Sequence, residues 1–474
     1  MKRGKQVALM PNAQGPRSGG FITIPIEEYE AMKALIAALT AKVAELEARL
    51  NKNSKNSNKP PSSDGPKKSA IKNSRVKSGR QSGGQPGREG KTLELVPEPD
   101  TVVELKPKQA CECGGSIIES ASCQTRQVTD IEPIKLLTFE YRAYDGACEA
   151  CGKTHRASFP DCADGVRSYG DGLSAVAAYL TNYQLLPLKR ATELMQDIFG
   201  ISMSQATVLA RSEQAYEMLE KTEGLIADEI LASPVAHADE TGMRVQGSNH
   251  WLHSVGTEKA TVYGIRKGRG KKALDDIGVL PRYTGTLVHD HWKSYYGYDQ
   301  CSHAECNAHH LRALRHLHED LGCEWAGDMA SLLLRIKRHV DLCKLFEAER
   351  IEQPDIELYI DCYRGILAGA SSDGEAEPDE SRRMRKRLGE YELEALLFML
   401  DFDVPFTNNL AESDVRMPKT KMKISGCFRT KHGADVFARV RGFISTAKKK
   451  GKNILAGLAS VFSGDSAAFL YPET

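Results

Sequence analysis

The hydrophobic pattern begins with a seven-residue repeat near the N-terminus. Apolar side chains fall seven apart in two interleaved series, Tyr29, Ile36, Val43 and Leu50 in one and Met32, Leu39 and Leu46 in the other. β-Branched residues at one core position and Leu at the other favour a parallel two-stranded coiled coil. We therefore predict a self-associating helix over residues 25–51. The alternative is an amphipathic helix that packs on its own protein.

The repeat is followed by a segment that has almost no large apolar side chains. Residues 51–91 carry eleven Lys and Arg against two acidic residues, although the whole chain has a net charge of only +1. Such a segment cannot bury enough surface to offset its chain entropy, so residues 52–92 are predicted to be a disordered basic linker. A second basic segment, residues 414–453, has a net charge of +10. Two such segments in a neutral chain indicate a polyanionic partner, such as nucleic acid.

Paired cysteines come next. Cys111 and Cys113 form a C-x-C pair, and Cys148 and Cys151 form a C-x-x-C pair, each followed by glycine. Close cysteine pairs in a large chain with twelve cysteines indicate a tetrahedral structural zinc site rather than a disulfide framework. The spacing predicts a zinc-binding module over residues 93–165. Because C-x-x-C is the commoner spacing, Cys123 or His155 is an alternative ligand to Cys113.

Residues 166–230 have a helical pattern interrupted at Gly200. Gly200 is predicted to end one helix, and Ser202 or Ser204 to cap the next. A helix, a short turn and a second helix are typical of helix-turn-helix DNA-binding segments. Helical hairpins without this role show the same pattern.

From residue 231 the pattern changes to short strands. One apolar run ends at Asp239, two alternating runs follow as a meander, and a further apolar run ends at Asp290. The predicted order is three strands, helix, strand, helix, strand. Adjacent strands that both finish in a carboxylate would bring Asp239 and Asp290 together at one edge of a sheet. Paired carboxylates suit Mg²⁺, which prefers oxygen ligands and binds substrate phosphates.

A third carboxylate, Glu412, stands near the start of a predicted helix that Asn408 and Asn409 would cap. Cations follow it at Arg416, Lys419, Lys421 and Lys423, and these are predicted to contact DNA phosphates. Two metal ions held by three carboxylates can catalyse in-line phosphoryl displacement. Glu412 is therefore the predicted third ligand.

A cluster of possible ligands lies between the second and third carboxylates. Cys301, His303, Cys306, His309 and His310 are spaced as in a zinc cluster, but packing that anchors a helical insertion explains them equally well. We expect His237 and His289 to be buried strand residues rather than general bases. Trp251 and Trp292 are expected to belong to the core.

Four motifs, HADETG, LVHDHWKSYY, CNAHHLR and NNLAESDVR, resemble those of the insertion sequence 66 family of bacterial transposases. The resemblance covers residues 25 to 460, because the N-terminal elements also occur in that family in this order. It implies a ribonuclease H-like core, an Asp-Asp-Glu triad at Asp239, Asp290 and Glu412, and dependence on Mg²⁺ or Mn²⁺. It also implies small companion proteins of the same element as partners. Ser413 stands where the family usually has arginine, and this departure bears on a local phosphate or substrate contact but not on the metal ligand.

These observations together predict a multidomain α+β chain with a ribonuclease H-like α/β core. The expected order is a coiled coil at 25–51, a linker at 52–92, a zinc-binding module at 93–165, a helical DNA-binding segment at 166–230, the first part of the core at 231–310, a helical insertion at 311–402 and completion of the core at 403–474. No apolar run of 18 residues and no signal peptide is present, so a cytoplasmic protein is expected.

The predicted function is that of a DNA transposase, acting at least as a homodimer on terminal inverted repeats and target DNA. Two other functions fit parts of the sequence. A non-catalytic DNA-binding protein from a decayed element would need the N-terminal elements but not the triad. A general nuclease would need the triad but neither the coiled coil nor the zinc-binding module.

Overall fold

A computed structural model describes residues 7–11, 21–50, 94–106, 112–118, 124–131, 134–160, 162–163, 165–370 and 377–472. Strands β1 (Val7–Pro11) and β2 (Phe21–Pro25) pair antiparallel and lead into helix α1 (Ile26–Leu50). The predicted linker lies outside the described residues. Met32, Ile36, Leu39 and Val43 are more than 40% exposed on α1, so the described residues leave this apolar face uncovered. The side chains of Leu46 and Leu50 lie outside the described part.

The cysteine-containing segment holds a two-stranded sheet. Strand β3 (Asp145–Ala147) pairs antiparallel with β4 (Thr154–Arg156). Cys148 and Cys151 lie in the connecting turn, where the Gly152 N–H donates to the Cys148 carbonyl at 2.8 Å. Gly152 has a φ of 71°, which glycine adopts without steric cost.

The helical segment contains α2 (Asp171–Ala178), a π-helical turn (Tyr179–Tyr183), α3 (Leu188–Phe199), α4 (Gln205–Met218) and α5 (Glu220–Leu231). Gly200 ends α3 in the left-handed conformation, with a φ of 66°, as predicted. Ser204 caps α4 by accepting the Thr207 N–H at 3.0 Å, which settles the choice between the two serines.

A five-stranded mixed sheet forms the centre of the fold. Its strands are β5 (Val235–Val245), β6 (Ser248–Gly256), β7 (Thr261–Arg266), β8 (Thr286–His289) and β9 (Ser302–Glu305). They lie in the order β7-β6-β5-β8-β9; β5, β6 and β7 pair antiparallel, whereas β8 runs parallel to both β5 and β9. Helix α6 (Lys271–Asp275) connects β7 to β8.

Two details of the predicted strand pattern were wrong. Strand β5 does not end at Asp239 but continues to Val245, because its second half pairs with β6 beyond the point where β8 stops. The connection from β8 to β9 contains only a short 3-10 helix (Tyr295–Gly297) rather than a full helix.

Five helices follow β9, namely α7 (Asn307–Leu321), α8 (Glu324–Leu345), α9 (Gln353–Gly369), α10 (Asp379–Glu390) and α11 (Glu392–Leu400). They share an apolar core that includes Leu333, Ile336, Leu388 and Met399 and extends to Val288 of β8 and Ala304 of β9. The helical run begins at Asn307, four residues before the predicted boundary.

The chain then returns to the sheet through α12 (Asn409–Ser425), α13 (Lys431–Lys449), α14 (Ile454–Phe462) and α15 (Ser466–Leu470). Pro418 lies inside α12, and proline lacks the N–H that would bond to the Asp414 carbonyl. The Tyr263 hydroxyl of β7 donates to that carbonyl at 2.9 Å instead. This bond satisfies the orphaned acceptor and fixes α12 against the sheet. Among the described helices, none combines the length and apolar content that a bilayer crossing requires.

Candidate active site

Three carboxylates from distant parts of the sequence interact electrostatically in one region of the fold, although their oxygens do not all lie within 4.8 Å of one another. His237 of β5 is level with Val288 of β8, so Asp239, two residues further, is near Asp290, which directly follows β8. Burial and the charge of Glu240 raise the pKa of Asp239 well above its ordinary value, and the charges of Asp290 and Glu412 raise it further. The structure therefore brings the three predicted residues into one electrostatic neighbourhood.

Asp290 is held in a defined orientation. Its Oδ1 accepts the backbone N–H of Trp292 at 3.0 Å. Burial, followed by the charge of Glu240, raises the pKa of Asp290 to about 6. A carboxylate with a raised pKa is poorly compensated by the charges and hydrogen bonds around it, and such a group is suited to binding a cation.

Asn408 places the helix that carries Glu412. The prediction that its side chain caps α12 was wrong, because Asn408 makes no side-chain cap hydrogen bond to this helix. Instead its amide nitrogen donates to the Ala238 carbonyl at 2.8 Å, and its amide oxygen lies 2.9 Å from His237 Nδ1. These bonds fix the start of α12 beside Asp239. Asn408 is 1% exposed, and His237 is a buried strand residue as expected.

Glu412 lies on the first turn of α12 and is half-buried. Its Oε1 is a buried atom without a hydrogen-bond partner. Arg312 of α7 comes within 3.6 Å of this oxygen and His309 Nδ1 within 3.8 Å. Both separations exceed a normal hydrogen bond, but Arg312 lies at ion-pair distance from this oxygen.

Glu240 is a buried carboxylate that the sequence pattern did not single out. Alternation along β5 points it away from Asp239, into the opposite face of the sheet. There Arg269 pairs with it at 2.5 Å, and the Tyr295 hydroxyl donates to it at 2.5 Å. The Arg269 guanidinium lies 3.7 Å from the ring centre of Trp292. This group supports the loop that carries Asp290.

A second unpredicted carboxylate, Glu305, closes β9. His310 lies 2.6 Å from it, the Tyr296 hydroxyl donates at 2.5 Å, and His291 also contacts it. Burial alone would raise the pKa of Glu305, but the contacts with His291 and His310 and the charge of Arg387 hold that pKa well below its ordinary value. Because Arg387 belongs to α10, the network joins the helical insertion to the sheet.

The predicted phosphate-binding cations follow Glu412 along α12. Arg416 and Lys423 are exposed, whereas Lys419 and Lys421 are half-buried. Burial lowers the pKa of Lys419, and the nearby Lys423 lowers it further, while the charge of Asp239 acts in the opposite direction. Lys419 therefore interacts electrostatically with Asp239.

The predicted ligand clusters have different outcomes. Cys111 lies outside the described residues, so the zinc site with Cys113, Cys148 and Cys151 stays a prediction. Cys301 and His303 do not belong to the group of possible ligands that contains Cys306 and His309. His303 Nδ1 instead lies 3.0 Å from His289 Nε2 of β8. Cys306, His309 and Glu412 are the one group of three possible ligands found within the described part of the chain.

The donor set fits hard divalent cations. Asp239 and Asp290 offer carboxylate oxygens whose negative charges repel one another, and Glu412 adds an unpartnered oxygen. Mg²⁺ prefers such oxygen ligands and is commonly held by one or two carboxylates together with substrate phosphates. Oxygen ligands of this kind are also those that hold the metal ions of phosphoryl-transfer sites.

Comparison with known proteins gives one match over this region. The model described as "Transposase IS66 family" matches residues 167–436, more than half of the 474-residue chain and all three carboxylates. A second model, described as a family of unknown function, matches residues 12–94. No curated protein matches the chain.

Proposed function

Because the chain belongs to the Transposase IS66 family, we propose that it is a DNA transposase with a metal-dependent site at Asp239, Asp290 and Glu412. One observation carries the proposal. The charges of Asp290 and Glu412 both raise the pKa of Asp239, although the three residues are far apart in sequence. Carboxylates crowded in this way are unfavourable without a cation, so their clustering points to metal binding.

The strand order supports a ribonuclease H-like core. Three antiparallel strands are followed by two parallel ones, and β5 occupies the centre of the sheet. One proposed ligand lies on this central strand and a second directly after its parallel neighbour. The third comes from a helix packed on the same face as Asp239.

The carboxylates would hold Mg²⁺ or Mn²⁺, which activates a nucleophile and stabilises the leaving oxygen when bound. The protein's own residues orient this site. Asn408 fixes the helix of Glu412 against β5, and the Trp292 N–H fixes the carboxylate of Asp290. Lys419 and the exposed Arg416 would contact the phosphates on either side of the reacting one.

Two successive phosphoryl transfers would occur at this site. In the first, water attacks a phosphate at the element's end, a new P–O bond forms and the 3′ oxygen leaves as a hydroxyl. In the second, that 3′ hydroxyl attacks a phosphate of the target DNA and displaces another 3′ oxygen. Each step exchanges one P–O bond for another, so neither a covalent enzyme intermediate nor an external energy source is required.

The N-terminal elements would recognise and pair the ends of the element. The exposed apolar face of α1 would join two copies, and α3 with α4 would read the inverted repeats. A zinc site at Cys111, Cys113, Cys148 and Cys151 would stabilise the module between them. Pairing through α1 would ensure that both ends are cut in one complex.

The test uses Asp239→Asn, Asp290→Asn and Glu412→Gln, which keep side-chain size but remove a negative oxygen ligand. Labelled DNA that carries the terminal repeats flanking the gene is incubated with protein and Mg²⁺, then scored for nicked and joined products. Each variant should lose both products while still binding DNA. Asp403→Asn, at an exposed position nine residues before Glu412, is the matched control and should remain active. Wild-type activity in any variant removes that residue from the site, and activity in all three refutes the proposal.

A further inference from the structure

Cys306, His309 and Glu412 form a compact group beside the carboxylate site. Cys306 directly precedes α7, His309 lies in its first turn, and Glu412 lies in the first turn of α12. One ligand atom from each, namely the Cys306 sulfur, a ring nitrogen of His309 and a carboxylate oxygen of Glu412, lies within 4.8 Å of the other two.

Two atoms of this group lack any hydrogen-bond partner. His309 Nδ1 and Glu412 Oε1 are both buried without a hydrogen-bond partner and lie 3.8 Å apart, and the nearest cation to Oε1, Arg312, lies 3.6 Å away. A buried polar atom without a hydrogen bond lowers the stability of the fold, so two such atoms side by side need a physical reason. Zinc bound tetrahedrally to nitrogen and oxygen at about 2.1 Å separates these atoms by about 3.4 Å. The spacing therefore suits a cation between them better than a hydrogen bond.

The Cys306 sulfur is buried and is held in place by a backbone hydrogen bond, as metal-binding sulfurs commonly are. Cys306 is 1% exposed, and its Sγ accepts the backbone N–H of Asn408 at 3.1 Å. Such outer bonds orient ligand atoms and are a common part of metal sites. Because Asn408 also fixes α12 on β5, one residue holds both the sulfur and the helix of Glu412 in place.

The ligand types separate this site from the one at Asp239 and Asp290. Thiolate and imidazole select zinc and related transition metals, whereas Mg²⁺ prefers oxygen ligands. Three protein ligands leave a fourth tetrahedral position for water or substrate.

We propose that Cys306, His309 and Glu412 bind one zinc-class divalent cation. Zinc that engages Oε1 of Glu412 takes this oxygen from the Mg²⁺ site, so zinc and Mg²⁺ compete for the same carboxylate. The binding site itself stands on the geometry alone, and only this competition rests on the proposed function.

The test is a cobalt titration of the full chain, followed through the thiolate-to-cobalt charge-transfer band. A Cys148→Ser/Cys151→Ser background removes the predicted N-terminal zinc site from the signal. The band should appear in this background and be lost when Cys306→Ser is added. His309→Gln, which preserves volume, should weaken cobalt binding and alter the band. Cys301→Ser is the matched control, because that buried thiol contacts the Tyr298 carbonyl instead of Glu412.

The outcomes separate this inference from the proposed function. An equal band with and without Cys306, or no band at all, overturns the zinc-class site. Asp239→Asn should keep the cobalt band while losing DNA cleavage. If Asp239→Asn instead keeps full cleavage, the proposed function fails and the cobalt result remains valid. If added Zn²⁺ inhibits Mg²⁺-dependent cleavage equally in wild type and Cys306→Ser, the competition is refuted.

Discussion

Removal of one crowded charge should make the metal-free protein more stable. Asp290→Asn replaces a carboxylate whose pKa is raised from 3.8 to about 6 by burial and by the charge of Glu240. Asparagine has no ionised form, so its burial desolvates no charge and Glu240 does not repel it. Its amide oxygen can still accept the Trp292 N–H that Asp290 accepts at 3.0 Å. The substitution therefore removes repulsion without removing the local hydrogen bond.

The magnitude follows from linkage between protonation and folding. Between about pH 4 and about pH 6 the folded protein holds the Asp290 proton more tightly than the unfolded chain does, so the free energy of unfolding falls as pH rises through this window. A pKa difference of about 2 corresponds to about 3 kcal/mol above the window. Because Asp290 is partly exposed to solvent, we expect Asp290→Asn to raise the free energy of unfolding by about 1–3 kcal/mol near pH 7.5. Below about pH 4 the gain should vanish.

Calorimetry of the chelator-treated full chain can measure this effect on the transition of the unit that contains the sheet. The transition temperature should rise by roughly 2–8 °C near pH 7.5. Asp299→Asn, an exposed aspartate nine residues later, is the matched control and should change little. Mg²⁺ at 100 times its dissociation constant should stabilise the wild type by about 2.7 kcal/mol and the variant by much less.

Two results would refute the reasoning. If metal-free Asp290→Asn is less stable than the wild type near neutral pH, the carboxylate contributes more through its contacts than it costs through repulsion. If the gain is the same below about pH 4 as near pH 7.5, it does not come from the ionised form.

Three further predictions concern the remaining elements. Cys151→Ser should release about one equivalent of zinc and destabilise residues 105–165, and freshly purified wild type without zinc would contradict this. Leu39→Pro should cost about 3 kcal/mol of helix stability and weaken paired binding of DNA ends, whereas unchanged assembly by light scattering would mean that α1 packs on its own chain. Joint replacement of Lys419, Lys421 and Lys423 by Ala should weaken binding to all DNA and lower the salt slope by about one for each lost phosphate contact, and a loss limited to the terminal repeats would argue against this role.

The sequence predicted the elements better than it predicted the contacts between them. Local rules sufficed for Gly200 and Ser204, because a helix end needs only the residues beside it. They failed for Asn408, whose side chain bonds to β5 about 170 residues earlier rather than to its own helix. The length of β5 was underestimated for a similar reason, since its second half is stabilised by pairing with β6.

The buried carboxylates show the same limit. Glu240 follows Asp239 directly, and nothing in its spacing reveals that Arg269 and Tyr295 neutralise it on the other face of the sheet. Alternation along a strand was the available signal, because it separates neighbouring residues onto opposite faces. Glu305 depends on His310, which is close in sequence, but also on Arg387 from the helical insertion. That contact could not be predicted without the tertiary fold.

The helical insertion explains how Glu412 reaches the other carboxylates despite its distance in sequence. The chain leaves the sheet at Cys306 and returns at Asn408, and the two ends are joined: the Asn307 N–H donates to the Phe406 carbonyl at 3.1 Å, and the Asn408 N–H donates to the Cys306 sulfur. The intervening helices share an apolar core with Val288 of β8 and Ala304 of β9, so the insertion packs directly against the strands that lead to the site. Arg387 of the insertion also contacts Glu305 at the end of β9. If the insertion moves when DNA binds, these contacts would therefore displace β9. Through the Cys306–Asn408 bond, the same movement would displace the start of the helix that carries Glu412.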